Sequence, residues 1–115
     1  MADTRDLTSE SEADALIDGD EPAWVFKHST ACPISAAARR QFDAFRAGDA
    51  ALPAGVVTVQ TDRPVSNHVA EKTGVAHATP QALLVRNGEA IWHASHGSIS
   101  KARLAEAQAR HAAPS

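Results

Sequence analysis

The one cysteine in 115 residues stands inside Lys27-His28-Ser29-Thr30-Ala31-Cys32-Pro33-Ile34-Ser35. An apolar run ends just before this stretch and a helical pattern begins inside it. The nucleophile in thiol chemistry is the thiolate, and the unpaired N–H groups and dipole of a helix N-terminus favour that anion. Thiols so placed commonly fall from a pKa near 8.5 to roughly 3.5–7.5. Pro33 suits the first helical position, where its missing N–H costs nothing, which makes Cys32 the N-cap residue. Ser29, Thr30 and Ser35 supply short hydroxyl groups nearby. A dithiol redox protein needs a second cysteine three positions on, to release a bound substrate by internal attack. That position is Ser35. The pattern therefore points to monothiol exchange, in which an external thiol must free Cys32. The plainer alternative is a buried cysteine acting as a small hydrophobe.

The elements that must hold this thiol follow from the pattern on either side. Residues 1–7 read as a frayed start, and 1–8 as flexible. Ser9 with Glu12 forms a capping box that opens a short helix over residues 10–17, ended by Gly19. Leu16 and Ile17 are its only large apolar residues, which places it on the outside of the domain. Ala23-Trp24-Val25-Phe26 is too short for a helix and reads as a buried strand. The helix opened by Pro33 runs to about Arg46, with Ile34, Ala38, Phe42 and Phe45 as an inward stripe and Gly48 as its stop. Val56-Val57-Thr58-Val59-Gln60 is the second strand by its β-branched content. A strand, one crossover helix and a strand make a parallel, right-handed unit. Pro64 opens a helix over residues 65–72, ended at Thr73-Gly74.

Thr79-Pro80 leads into a third strand, Gln81-Ala82-Leu83-Leu84-Val85. Asn87-Gly88 then separates it from Ala90-Ile91-Trp92-His93-Ala94, the strongest short signal for a hairpin. A last helix spans about residues 101–110, with Ser100 as its N-cap and Ile99 and Leu104 as a hydrophobic staple. After the short first helix, the order βαβ-α-ββ-α is that of the thioredoxin fold. The expectation is α/β: a four-stranded mixed sheet flanked by helices, in a single domain over residues 1–115 with 112–115 frayed. In that fold a cis proline faces the nucleophile, which assigns Pro80 that place. An X–Pro bond takes the cis form at little penalty, and at this place it leaves the preceding N–H and C=O to pair with an incoming peptide or disulfide.

Composition narrows the function. A formal charge of -3 and a pI near 6 give no electrostatic reason to bind nucleic acid or an anionic membrane. No stretch reaches the length of a membrane span, and residues 1–12 are acidic and polar, the opposite of a secretory signal. A single cysteine excludes an internal disulfide, so the expected location is the reducing cytoplasm.

The sequence resembles the monothiol bacilliredoxins, a thioredoxin-fold family linked to the low-molecular-weight thiol bacillithiol. The matching residues are Phe26-Lys27-His28-Ser29-Thr30, Cys32-Pro33-Ile34-Ser35, Arg63, Ser66-Asn67, Gly74-Val75, His77, Pro80-Gln81, Asn87-Gly88, Trp92 and Ser95-His96. They span roughly residues 24–104, and residues 28–35 and 77–81 are the specific parts. The family often carries other residues where this chain has Ala31, and Ser where it has Thr79; neither change touches Cys32 or Pro80. The resemblance implies an oxidoreductase whose partners are bacillithiolated proteins. Cys32 attacks the bacillithiol sulfur, takes up bacillithiol and releases the target thiol. Bacillithiol is then a co-substrate, with no bound cofactor. Pro33, Ser35, His28, Thr30, His77, Thr79 and Pro80 are the supporting residues. His77, three residues before Pro80, and His28, at the end of the first strand, are placed to stabilise the thiolate or move a proton. Arg63, Ser66 and Asn67 are candidate contacts to the carboxylates of bacillithiol's malate.

Two other classes stand against this one. The chain could be a non-catalytic thioredoxin-like module that binds a partner through the Pro80 edge, since Ser35 removes the internal resolving step. A metal site of Cys32, His77 and His93 or His96 is the weaker alternative: His93-x-x-His96 is no strong metal signature, and one step along a strand turns a side chain to the opposite face. The expectation is no metal.

Overall fold

The computed structural model describes residues 4–48 and 52–111. The elements run β1 (Thr4–Asp6), α1 (Glu10–Ile17), β2 (Ala23–His28), α2 (Pro33–Gly48), β3 (Ala54–Thr58), α3 (Arg63–Thr73), β4 (Gln81–Arg86), β5 (Glu89–Ser95) and α4 (Lys101–His111), with one 3-10 turn at His96–Ser98. The sheet order is β1-β3-β2-β4-β5. β2 and β3 are parallel, with Lys27 opposite Val57, and β2 and β4 are antiparallel, with Lys27 opposite Gln81.

The sheet has five strands, not the expected four. Thr4–Asp6 does not fray: it pairs in parallel with β3. Its three residues are polar and exposed, so no apolar alternation announces it. What pins it is the next residue. Leu7 is buried, its N–H donates to the Val56 carbonyl at 2.8 Å, and its side chain lies over Gly55. A Cβ at Gly55 would come within 2.5 Å of Leu7, so the strand needs glycine there. β2 also runs on to include Lys27 and His28, and β3 starts and ends two residues earlier than expected. Residues 1–3 and 112–115, expected to be flexible and frayed, lie outside the described residues.

Two cores fill the two faces, because side chains alternate along each strand. One joins Trp24, Phe26, Val56 and Leu84 of the sheet to Phe42 and Phe45 of α2 and Leu104 of α4. The other joins Val25, Val57, Leu83 and Val85 to Ala13 and Ile17 of α1 and Val65 and Val69 of α3. Helix α1 is an outer-layer helix, yet Ala13 and Ile17 are wholly buried beneath it. Ser9 accepts the Glu12 N–H, and the Glu12 carboxylate reaches back to Thr8 and Ser9. Asn87 and Gly88 both take positive φ, 52° and 84°, as a two-residue hairpin turn requires. Their N–H groups donate to Gly19 and Ile17 carbonyls, which ties the hairpin to the end of α1.

Candidate active site

The register decides what lies beside the thiol. Lys27 at the end of β2 is opposite Gln81 at the start of β4. The loop carrying Cys32 leaves β2 at the same end of the sheet at which Thr79-Pro80 enters β4. The Thr79–Pro80 peptide bond is cis, and Pro80 is buried with its carbonyl accepting the His96 N–H at 3.1 Å.

Cys32 is a free, partly exposed thiol just before α2. Its carbonyl accepts the Ala36 N–H at 3.0 Å, the first backbone bond of the helix. Pro33 follows it, so the N–H groups left without a carbonyl one turn back are those of Ile34 and Ser35. Pro33 and Ile34 are exposed, and Ile34, at 53%, is the one large apolar side chain so exposed among the described residues. The expected inward stripe on α2 therefore begins at Ala38, with Ile34 turned to solvent beside the thiol.

Ser35 occupies the place of a resolving cysteine and is fully buried. Its hydroxyl accepts the Ser29 N–H at 2.8 Å and lies 3.0 Å from His28 Nδ1. A hydroxyl can donate to a ring nitrogen or accept from its N–H, so this bond forms with either neutral tautomer of His28. Burial holds His28 below the ordinary imidazole value, helped by the Arg39 charge and opposed by Asp43. Ser35 is thus a latch between β2 and the first turn of α2. Gln60 closes the loop from outside: its amide oxygen, turned inward, accepts from the Thr30 and Ala31 N–H groups at 3.1 Å each and from the Ser29 hydroxyl at 2.8 Å.

The other face of β2 carries a second polar group. Lys27 shares the face of Val25 and is 0% exposed, with its ammonium 3.3 Å from His77 Nδ1. Ser66 Oγ, also buried, is 3.2 Å from the same nitrogen, and His77 Nε2 is 3.3 Å from Thr79 Oγ1. Burial pushes Lys27 down to about 8. Burial, then the charges of Lys27 and Arg63, hold His77 down as well. Gln81 donates to the Ala76 carbonyl at 3.0 Å.

The candidates from sequence thus divide in three. His28, Thr30, Pro33 and Ser35 belong to the thiol loop. His77, Thr79 and Ser66 join each other across α3 and the Pro80 loop, with Ser66 turned inward to His77. Arg63 and Asn67 are exposed on α3. His93 and His96 are exposed, and among the described residues no three His, Cys, Asp or Glu side chains gather as a metal site. Lys27 and Gln81 stand among the residues that carry the family resemblance, but no part in the site is assigned to them from sequence. The available signal was parity, since two steps from inward Val25 lands Lys27 on the same buried face.

The chain matches the family described as monothiol bacilliredoxin BrxC over residues 5–104. The chain belongs to this family. A solved structure described as a suspected oxidoreductase with a thioredoxin fold is 36% identical, with a TM-score of 0.84 over 91% of this chain and 93% of that one. Thioredoxin of Malassezia sympodialis, a member of a pan-allergen family, superposes with a TM-score of 0.78 at 18% identity over 98% of this chain and 94% of its own. Fasciola hepatica thioredoxin gives 0.73, also at 18% identity, over 93% and 98%. At that identity the two thioredoxins attest the fold alone. Fold and family together make this a thioredoxin-like redox protein of the bacilliredoxin family, and Cys32 is its only thiol.

Proposed function

We propose that the protein removes bacillithiol from protein mixed disulfides by monothiol exchange at Cys32. The Cys32 thiolate attacks the bacillithiol sulfur of the mixed disulfide. A Cys32–bacillithiol disulfide forms, the old S–S bond breaks, and its electron pair leaves on the target's sulfur as a thiolate. A second bacillithiol then attacks the bacillithiol sulfur on Cys32, giving bacillithiol disulfide and free Cys32. The work belongs in the reducing cytoplasm, where a small thiol is present to complete it.

The observation that carries this reading is Ser35. It fills the resolving position as a buried latch to His28 and Ser29, so the adduct on Cys32 waits for an outside thiol. The test is whole-protein mass measurement after exposure to bacillithiol disulfide at neutral pH. One bacillithiol adds to the wild-type chain and none to Cys32→Ser. An unmodified wild-type chain overturns the proposal. Exposed Ile34 beside the thiol favours a second reading, a module that docks a partner without exchange; that reading predicts binding with no adduct.

A further inference from the structure

Lys27 is a fully buried cation that the exchange step does not use. It lies at 0% exposure, and among the described residues its hydrogen-bond partner is His77 Nδ1, with no carboxylate to pair its charge. Burying a cation without a counter-charge opposes folding. Beside it, across the β2–β4 ladder and on the same face, the Gln81 side-chain oxygen is buried with no hydrogen-bond partner among the described residues. A group assembled against stability marks a functional site.

The bonds run in one direction. An ammonium has donors and no lone pair, so His77 Nδ1 facing it must be the acceptor. The ring proton then sits on Nε2, which faces Thr79 Oγ1 at 3.3 Å. His77 therefore donates to the Thr79 hydroxyl, and the Thr79 proton is left to point elsewhere. Thr79 stands directly before Pro80, at the sheet end where the Cys32 loop emerges. Without a cation on Nδ1, Ser66 could accept from His77 Nδ1–H, and the ring could turn its lone pair on Nε2 toward Thr79.

We propose that Lys27 is a positioning residue for exchange at Cys32: it fixes the tautomer of His77, so that the Thr79 hydroxyl is held as a hydrogen-bond donor to the thiolate expelled from the mixed disulfide. This rests on the exchange reading above. In that step the electron pair of the broken S–S bond collects on the target's sulfur, and a donor already oriented there lowers the barrier. The hydroxyl keeps its proton; it stabilises charge and transfers nothing. The lowered His77 value agrees with a neutral ring that can be either tautomer until Lys27 selects one.

The test combines nitrogen NMR of the histidine rings with exchange kinetics on a bacillithiolated protein. In the wild-type chain, His77 shows the Nε2–H tautomer near pH 7. In Lys27→Met the Nδ1–H form appears, and exchange slows about tenfold, the loss of one hydrogen bond to a charged group. Thr79→Val slows it equally, Thr79→Ser restores most of the rate, and Lys27→Met with Thr79→Val is no slower than either alone. An unchanged His77 tautomer in Lys27→Met, an unchanged rate, or losses that multiply in the double variant each overturn the proposal. Should Lys27→Met not fold, Thr79→Val against Thr79→Ser, with the wild-type tautomer, decides it. The tautomer spectra need no bacillithiol, and the rates can be repeated on a glutathionylated protein. A missing bacillithiol adduct on Cys32 would sink the exchange reading while leaving these measurements intact.

Discussion

The two faces of the sheet are built from opposite materials. On the α2 and α4 face, Trp24 packs edge-on to Phe42, Phe45 and Trp92, and Phe26 lies 4.8 Å from Phe42 by ring centroid. The polar group there is small and satisfied: His28 and Ser35 bond to each other, and Ser35 also serves the Ser29 N–H. On the α1 and α3 face the core is aliphatic, and its thiol end holds a buried lysine, a serine, a histidine and an orphaned amide oxygen. One face fixes where the thiol loop begins; the other gives up stability to hold charge beside the Pro80 loop. All five Phe and Trp rings of the chain lie on the opposite face.

Four variants probe that contrast. The largest stability effect belongs to the aromatic face. Phe42→Ala should cost about 3–5 kcal/mol in chemical denaturation, since a buried aromatic leaves a cavity that the neighbouring Trp24 and Phe26 rings cannot fill. A cost under about 1 kcal/mol would mean that the ring cluster is not what holds this face. Lys27→Met should act in the reverse sense. Below about pH 8 folded and unfolded chains both hold the Lys27 proton, and the folded state bears the buried charge. Between about 8 and the ordinary value of 10.5 only the unfolded chain keeps it, so wild-type stability rises with pH by about 3 kcal/mol in full. The methionine variant should lack that rise and be at least as stable as wild type at pH 7. Parallel denaturation curves for the two proteins from pH 7 to 10 would refute the assignment.

Gly55→Ala should cost about 2 kcal/mol, because the new methyl group displaces buried Leu7 and with it β1. Hydrogen exchange should then accelerate at the Leu7 amide before it does in β2. Equal protection in both strands would show that β1 is not held by that contact. The smallest effect is Ser35→Ala. It leaves the Ser29 N–H without its partner and should cost about 1–2 kcal/mol. The adduct on Cys32 should still form, since the latch positions the loop and does no chemistry; loss of the adduct would assign Ser35 a larger part.

Local signals made most of the architecture legible. Pro33 and Pro64 opened helices, Asn87-Gly88 gave the hairpin, and Ser9 with Glu12 gave the first cap, because each is a short-range backbone preference. β1 was not legible, since Thr4-Arg5-Asp6 has no apolar pattern and is held by pairing with β3 and by Leu7 over Gly55. Cys32 and its helix were readable for the same local reason. The bond of Ser35 to His28 was not, though both residues stood out, because it depends on how α2 closes on β2. The Lys27 cluster was hidden further still: it exists only once the register sets Lys27 against Gln81 and α3 brings Ser66 to His77.

The most direct test follows bacillithiol itself from one protein to another. A bacillithiolated target is mixed with the wild-type chain, without free thiol, and both masses are read over time. The target should lose one bacillithiol as the chain gains one on Cys32, and no further step should occur until bacillithiol is added. A target that keeps its modification, or a Cys32→Ser chain that removes it equally well, would contradict monothiol exchange at Cys32.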